Sequence, residues 1–316
     1  MSGSGMPRLM LLDTASLYFR AFYGVPDTIR RSDGTPVNAV RGLMDMIARL
    51  TTDYQATHLV ACWDNDWRPQ WRVDLIPSYK SHRVAETVPN GPDIEVVPDP
   101  LEAQIPLIRH MLDLAGIAVV GVDEHEADDV VGTYASQAQL PTDVVTGDRD
   151  LFQLVDDQRD VRVIYTARGM KNLEVITDVV VVGKYRVLPG QYADFATLRG
   201  DASDGLPGVA GIGEKTAASL LGEHGSLDGL LAAAEDPDGG LSAAIRAKLS
   251  AAADYLQVAP VVVNVVRDLK VPTLEDAGAE LRPVTGENRA ELERLATEWN
   301  LGGAVARLLE ALDKAH

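Results

Sequence analysis

The chain has 316 residues, 46% of them hydrophobic and 24% charged, with a formal net charge of −18. That is ordinary globular composition with room for one large domain or two smaller ones, which excludes a disordered chain and a fold dependent on staples. The single cysteine, Cys62, excludes an internal disulfide, and no run approaches the 18 apolar residues of a membrane span, so a reducing cytoplasmic setting and no membrane partner are expected. The amino terminus lacks a basic region followed by an apolar stretch, so no secretion signal is expected. Taken alone, the acidic charge argues against a phosphate-rich partner.

The first half alternates strand-like and helix-like runs. Arg8 to Asp13 is a short apolar run ending in an acid, and Val37 to Tyr54 carries apolar residues at helical spacing. His58 to Asp64 is a second apolar run ending in an acid. Between Asp64 and Pro100 the pattern fails. That stretch holds Pro69, Pro77, Pro89, Pro92 and Pro98, with Arg68, Arg72, Lys80, His82 and Arg83. A connection this long inside a compact domain is usually functional, so residues 65–100 are expected to form a mobile, poorly ordered arch. Pro100 to Leu114 reads as helix, Ile117 to Val122 as strand, Glu126 to Gln139 as helix, Asp143 to Gly147 as strand and Val161 to Tyr165 as a further strand. This βαβα order predicts an α/β fold with a parallel sheet and helices on both faces.

From about Pro189 the chain becomes rich in Ala, Leu and Gly and reads as a small helical subdomain to about residue 254. Val261 to Val266 reads as a strand and is followed by two amphipathic helical runs. The expected organisation is a catalytic core over 6–188, a helical subdomain over 189–254, and a segment over 255–316 that packs back on the core.

Carboxylates fall at five places: Asp13; Asp64; Glu126, Asp128 and Asp129; Asp148 and Asp150; Asp201 and Asp204. Asp13, Asp64 and Asp148 lie at the carboxyl ends of predicted strands, the edge where parallel sheets bind ligands. Glu126 and Asp129 are three apart on a predicted helix and share a face, and Asp201 and Asp204 have the same spacing. Any one of these acids alone reads as a turn former or helix cap. Nine on one edge would repel strongly unless cations sit among them. Carboxylates without nearby His or Cys select hard ions, Mg²⁺ or Mn²⁺. Two such ions about 4 Å apart hydrolyse phosphodiesters. Metals at this edge would also offset the repulsion a nucleic acid meets.

These acids stand within longer runs: Leu12-Asp13, Trp63-Asp64, Tyr79-Lys80-Ser81-His82-Arg83, Glu126-Ala127-Asp128-Asp129-Val130, Thr146-Gly147-Asp148-Arg149-Asp150-Leu151 and Gly200-Asp201-Ala202-Ser203-Asp204-Gly205-Leu206-Pro207-Gly208. In this order they resemble the bacterial and phage 5′→3′ exonuclease family, which includes the N-terminal domain of bacterial DNA polymerase I and is related to the flap endonucleases. The resemblance covers roughly residues 8–300. It departs from the family pattern at Thr14, where Gly is usual, and at Gly205, where Asn is common. It implies a PIN-like 5′-nuclease core. One metal would be held by Asp13, Asp64, Glu126 and Asp128, with Asp129 beside them, and a second by Asp148, Asp150, Asp201 and Asp204. Lys80 and Arg83 would clamp the scissile phosphate, with Arg68, Arg72 and His82 as further candidates. A monomer acting on DNA with a 5′ flap, nick or end next to duplex is expected.

Pro207 to Ala218 looks like a helix–hairpin–helix, with Gly208, Gly211, Ile212, Gly213, Lys215 and Thr216 as its DNA-binding residues. Glycines let backbone approach backbone, and the free N–H groups of the following helix suit a phosphate without reading sequence. The resemblance adds a K⁺ ion bridging the hairpin carbonyls and the phosphate. Tyr18, Phe19, Phe22 and Tyr23 read as core, with Phe19 and Tyr23 on one apolar helix face. Two rival classes are weaker. A small-molecule phosphatase would have a second acid two residues after Asp13, where Ala15 stands. A catalytically dead DNA binder would lack metal-ligand positions, and all are present.

Overall fold

The computed structural model describes residues 6–88 and 93–315. Pro89 and Pro92 lie outside the described residues. The first half contains β1 (Leu9–Asp13), α1 (Thr14–Gly24), α2 (Asn38–Tyr54), β2 (His58–Cys62), α3 (Gln70–Leu75), β3 (Val84–Glu86), β4 (Ile94–Glu95), α4 (Asp99–Glu102), α5 (Ile105–Leu114), β5 (Ala118–Val120) and α6 (Ala127–Gln137). There follow β6 (Thr142–Thr146), β7 (Val161–Tyr165), β8 (Glu174–Ile176), α7 (Asp178–Tyr185), α8 (Tyr192–Arg199), α9 (Glu214–His224), α10 (Leu227–Glu235), α11 (Ala243–Ala251), α12 (Ala253–Val263), α13 (Gly286–Glu298) and α14 (Ala304–Lys314).

The main sheet has the order β5-β2-β1-β6-β7-β8, parallel except for β8, which runs antiparallel to β7. The strands are apolar on both faces because both faces are covered. Met10 and Leu12 point into one core with Leu59, Ala61 and Val145, packed by α1, α2, α5, α13 and α14. Leu9 and Leu11 point into the other with Val60, Val144 and Val163, packed by α6, α8 and α9. After β1 the chain winds outward through β2 to β5 and then returns to β6 on β1's other side. The carboxyl ends of β1, β2 and β6 therefore flank the topological switch point, where such sheets open a crevice. Asp13 ends β1, and Asp64 and Asp148 each follow two residues after their strands.

Two expectations are corrected. The run Val261 to Val266 is not a strand: α12 continues to Val263 and buries Leu256, Ala259, Val262 and Val263 at helical spacing. The excursion is also more ordered than its prolines suggest. Its described part holds α3, a 3₁₀ turn at Ser81–Arg83 and the β3–β4 hairpin. Arg68 is buried, donates to the carbonyls of Tyr79 at 2.6 Å and Pro77 at 3.2 Å, and pairs with Asp93. It thus provides donors for irregular backbone that has no ladder partner.

Candidate metal centre and DNA-facing edge

Each carboxylate is placed by the element that carries it. Asp13 caps α1, accepting from the Ser16 N–H at 3.2 Å and from Thr146 Oγ1 at 2.6 Å, which ties the ends of β1 and β6 together. Asp64 accepts from the Ala127 N–H at 2.8 Å, joining the end of β2 to the start of α6. Asp148 accepts from the Asp150 N–H at 2.9 Å. Glu126, just before α6, accepts from Lys80 Nζ at 2.7 Å and from the Tyr79 hydroxyl at 2.8 Å. Asp201 accepts from the Ser203 N–H at 2.8 Å and Arg199 Nη2 at 2.9 Å, and Asp204 pairs with Arg83 at 3.2 Å. Asp201 and Asp204 share a turn rather than a helix face, closed by paired backbone bonds between Asp201 and Leu206.

These side chains line a cleft of about 340 Å³ that includes Asp13, Asp64, Lys80, Arg83, Glu126, Asp128, Asp148 and Asp201, with Phe19 and Trp67 in its wall. A small adjoining void of about 20 Å³ is bounded by Glu126, Asp128, Asp150 and Asp204 among others. Asp150 Oδ1 is buried without a hydrogen-bond partner. A larger hollow of about 800 Å³ lies around His58 at the amino end of β2, the opposite end of that strand from the acids.

Burial dominates the electrostatics. It pushes Asp13 up to about 6, against hydrogen bonds from Thr146 and Ser16 and with help from the Asp148 charge. It pushes Asp64 up to about 7 and Asp204 up to about 6. Asp128 and Asp150 are raised well above the carboxylate range by burial and then by their acidic neighbours. For Asp201, burial is outweighed by hydrogen bonds from Ser203 and by Arg199, and its pKa is lowered. Burial would lower Lys80, but Glu126 and neighbouring groups raise it well above its usual value, so the ammonium stays charged.

Among the described residues, no group of three His, Cys, Asp or Glu side chains is arranged to hold a metal ion as it stands. Lys80, Arg83 and Arg199 engage three of the carboxylates. The donor set nevertheless suits hard cations: it is all oxygen, partly desolvated, and includes one buried oxygen with no donor.

Several expected site residues are placed elsewhere. Asp129 is not available as a metal ligand. Its carboxylate is fully buried and accepts from Arg72 at 2.7 and 2.9 Å, from the Val266 N–H at 2.9 Å and from the Glu126 N–H at 3.3 Å. Arg72, buried by that pairing, cannot reach a phosphate, and neither can Arg68. Ile212 is core and can offer DNA only its backbone. Gly208 is explained by packing: at φ +66 a Cβ would stand 2.5–2.6 Å from the backbone of Arg199 and Gly200. Gly211, Gly213 and Lys215 are exposed, and Thr216 is half-buried at the start of α9. Gly205, at φ +71, would bring a Cβ to 2.1 Å from the Ser78 carbonyl oxygen, so the departure to Gly lets the base of the excursion dock on this turn. Tyr23 does not share Phe19's packing; it is 71% exposed. The residues missed by sequence reading are Tyr79 and Arg199, which hold Glu126 and Asp201; both were open to local reading, since Tyr79 adjoins Lys80 and Arg199 stands two residues before Asp201.

The raised carboxylates set an expected pH dependence. Their folded pKa values of about 6–7 exceed the unfolded value of 3.8, so the native state binds more protons in the window between. Stability of the protein in EDTA should therefore fall as pH rises from about 4 to about 7. Saturating divalent metal should flatten that slope, because metal and protons compete for the same oxygens. Melting temperatures across this range check it; a rise with pH in EDTA contradicts it.

A crevice of desolvated acids at the switch point of a parallel sheet, with a glycine hairpin leading into a helix beside it, defines a nuclease of the PIN-like class. Residues 8–186 match the family model for the 5′–3′ exonuclease N-terminal resolvase-like domain, and residues 187–285 match that for the 5′–3′ exonuclease C-terminal SAM fold. The chain belongs to the 5′–3′ exonuclease family and is a 5′ nuclease acting on DNA. It is 57% identical over 303 residues to a Streptomyces coelicolor 5′–3′ exonuclease, covering 96% of this chain and 99% of that one. It is 48% identical to a Mycobacterium tuberculosis 5′–3′ exonuclease, covering 96% and 98%. A M. tuberculosis DNA polymerase I is 40% identical over 85% of this chain and 28% of its own length. Among solved structures, T5 5′-exonuclease with bound zinc superposes with a TM-score of 0.63 at 16% identity, covering 97% of this chain and all of that one. Among the described residues no helix is long and apolar enough to cross a membrane.

Proposed function

We propose that this chain cleaves DNA phosphodiesters at 5′ ends and at 5′ single-stranded flaps, acting as a monomer with two divalent ions, Mg²⁺ or Mn²⁺. The observation that carries this reading is the void bounded by Glu126, Asp128, Asp150 and Asp204 with the unpartnered Asp150 oxygen. Asp13, Asp64, Glu126 and Asp128 would hold one ion, and Asp148, Asp150, Asp201 and Asp204 the other. When bound, such ions lower the pKa of a water and stabilise the leaving oxygen. Asp13 and Asp148 belong to strand ends fixed by Thr146, so these ligands need little reorganisation. Gly213, Lys215 and Thr216 at the start of α9 would hold a backbone phosphate of the duplex. A K⁺ at the hairpin is the resemblance's further implication, and Lys248 competes with it for that place. Metal-dependent cutting of a 5′-flap substrate without turnover of p-nitrophenyl phosphate tests the reading, and the reverse result sinks it.

Lys80 and Arg83 rest on Glu126 and Asp204. With those acids engaged elsewhere, the two cations would face the scissile phosphate and meet the charge that grows on its oxygens. The excursion base is already docked, through the Lys80 N–H on the Asp204 carbonyl at 2.9 Å, so no large closure is needed at this point. Replacing both cations by alanine should lower single-turnover cleavage at least about 30-fold while DNA affinity changes less than about threefold. A rate within about threefold of wild type, under 1 kcal/mol, would remove them from the chemistry.

A further inference from the structure

We propose that the Lys248 ammonium is a cation built into the hairpin turn, standing where a free monovalent ion would otherwise sit and contacting a DNA backbone phosphate. This rests on reading the hairpin as a DNA contact. Lys248 lies in the last turn of α11, far from the hairpin in sequence, yet its Nζ donates to the Gly211 carbonyl at 2.8 Å. The stem lies flat on the glycine. A Cβ at residue 211 would stand 2.9 Å from Nζ, 3.1 Å from Cε and 3.8 Å from Cδ. Glycine at 211 is required by its φ of +75, and its lack of a side chain leaves room for the end of the lysine to cross it. Val209 and Ile212, buried on either side, anchor the turn, so the carbonyl that positions the ammonium is itself held.

A lysine at a helix C-terminus ordinarily serves its own helix's carbonyls. This one is on another element's carbonyl. In a chain with 47 acids against 29 bases, Lys248 has no carboxylate partner among the described residues. An ammonium has three donors. Gly211 takes one and two remain for an anion at the exposed face of the turn, next to Gly213 and Lys215. The chemistry matches what a K⁺ would offer, one positive charge shared between a turn carbonyl and a phosphate. The covalent cation is already in place and needs no ion from solution.

Duplex binding in EDTA, at fixed ionic strength in either KCl or tetramethylammonium chloride, tests this with wild type, Lys248→Met and Gly213→Val. Wild type should bind equally in the two salts, within about twofold. Lys248→Met should bind about tenfold more weakly in tetramethylammonium chloride, the size of one charge-assisted hydrogen bond, and recover at least about threefold in KCl as K⁺ takes the vacated place. The proposal is overturned if wild type needs K⁺, if Lys248→Met binds like wild type in both salts, or if KCl leaves its loss unchanged. Gly213→Val, which crowds the open approach to α9, separates the two readings. If it weakens binding and Lys248→Met does not, only the ammonium proposal fails. If neither variant weakens binding, the hairpin itself is not the DNA contact and both readings fall.

Discussion

Asp150→Asn is expected to lose at least about 100-fold in cleavage rate at saturating Mg²⁺, yet to melt at a higher temperature than wild type in EDTA. The two effects have opposite signs because one carboxylate serves both. Asp150 is enclosed, one oxygen has no donor, and burial and then Asp148, Asp204 and Asp201 oppose its ionisation. An amide of the same shape removes that repulsion and adds a donor for a neighbouring carboxylate. With metal present, the same change takes away a full negative charge where a divalent ion would need it. Asp148→Asn should share the loss of rate. Melting curves in EDTA and single-turnover cleavage of a 5′-flap measure the two halves separately. Wild-type cleavage by both variants at low millimolar Mg²⁺ would show that neither is a ligand. An unchanged or lower melting temperature for Asp150→Asn would show that its burial carries no cost.

The largest effect on stability is expected at Arg72. It makes a two-pronged bond to Asp129, reaches Glu126 at 3.4 Å, donates to the Val262 carbonyl at 3.2 Å and lies over the Trp71 ring. One side chain thus joins the excursion helix α3, the start of α6 and the C-terminal part of α12. Arg72→Met would leave the Asp129 carboxylate, fully buried, without its counter-charge. Breaking a buried pair from one side costs about 3–5 kcal/mol, which for a chain of this size lowers the melting temperature by on the order of 10 °C. The double variant Arg72→Met, Asp129→Asn should recover at least half of the loss. It removes the orphaned charge and keeps an acceptor for the Val266 N–H. A fall under about 2 °C in the single variant, or a double variant no better than the single, would show that this pair does not hold the three elements together. Because Asp129 also accepts from the Glu126 N–H, metal affinity should fall along with stability.

The sequence by itself determined the sheet and its acidic edge. A strand covered on both faces is a short continuous apolar run, so the runs ending at Asp13 and Asp64 and just before Asp148, set between helical runs, report their own secondary structure. Parallel βαβ order then puts their carboxyl ends together without any knowledge of packing. The acids at Glu126, Asp128, Asp150, Asp201 and Asp204 were legible for a different reason: they stand in runs whose order resembles a known family. What tertiary structure decided is how each charge is partnered. Asp128 and Asp129 are neighbours in one run. One faces the cleft and the other is held by an arginine 57 residues earlier, which no local spacing reveals. Val261 to Val266 carries enough β-branched residues for a strand, yet its start belongs to α12 because the face it buries has helical period. The excursion's prolines pointed to a loose arch, but Arg68 ties its own backbone together and Arg72 fixes it to α6 and α12. Lys248 stands 37 residues from the carbonyl it meets. Hydrophobic period is a property of a dozen adjacent residues, whereas the energy of a buried charge depends on partners that only the folded chain brings within 3 Å of it.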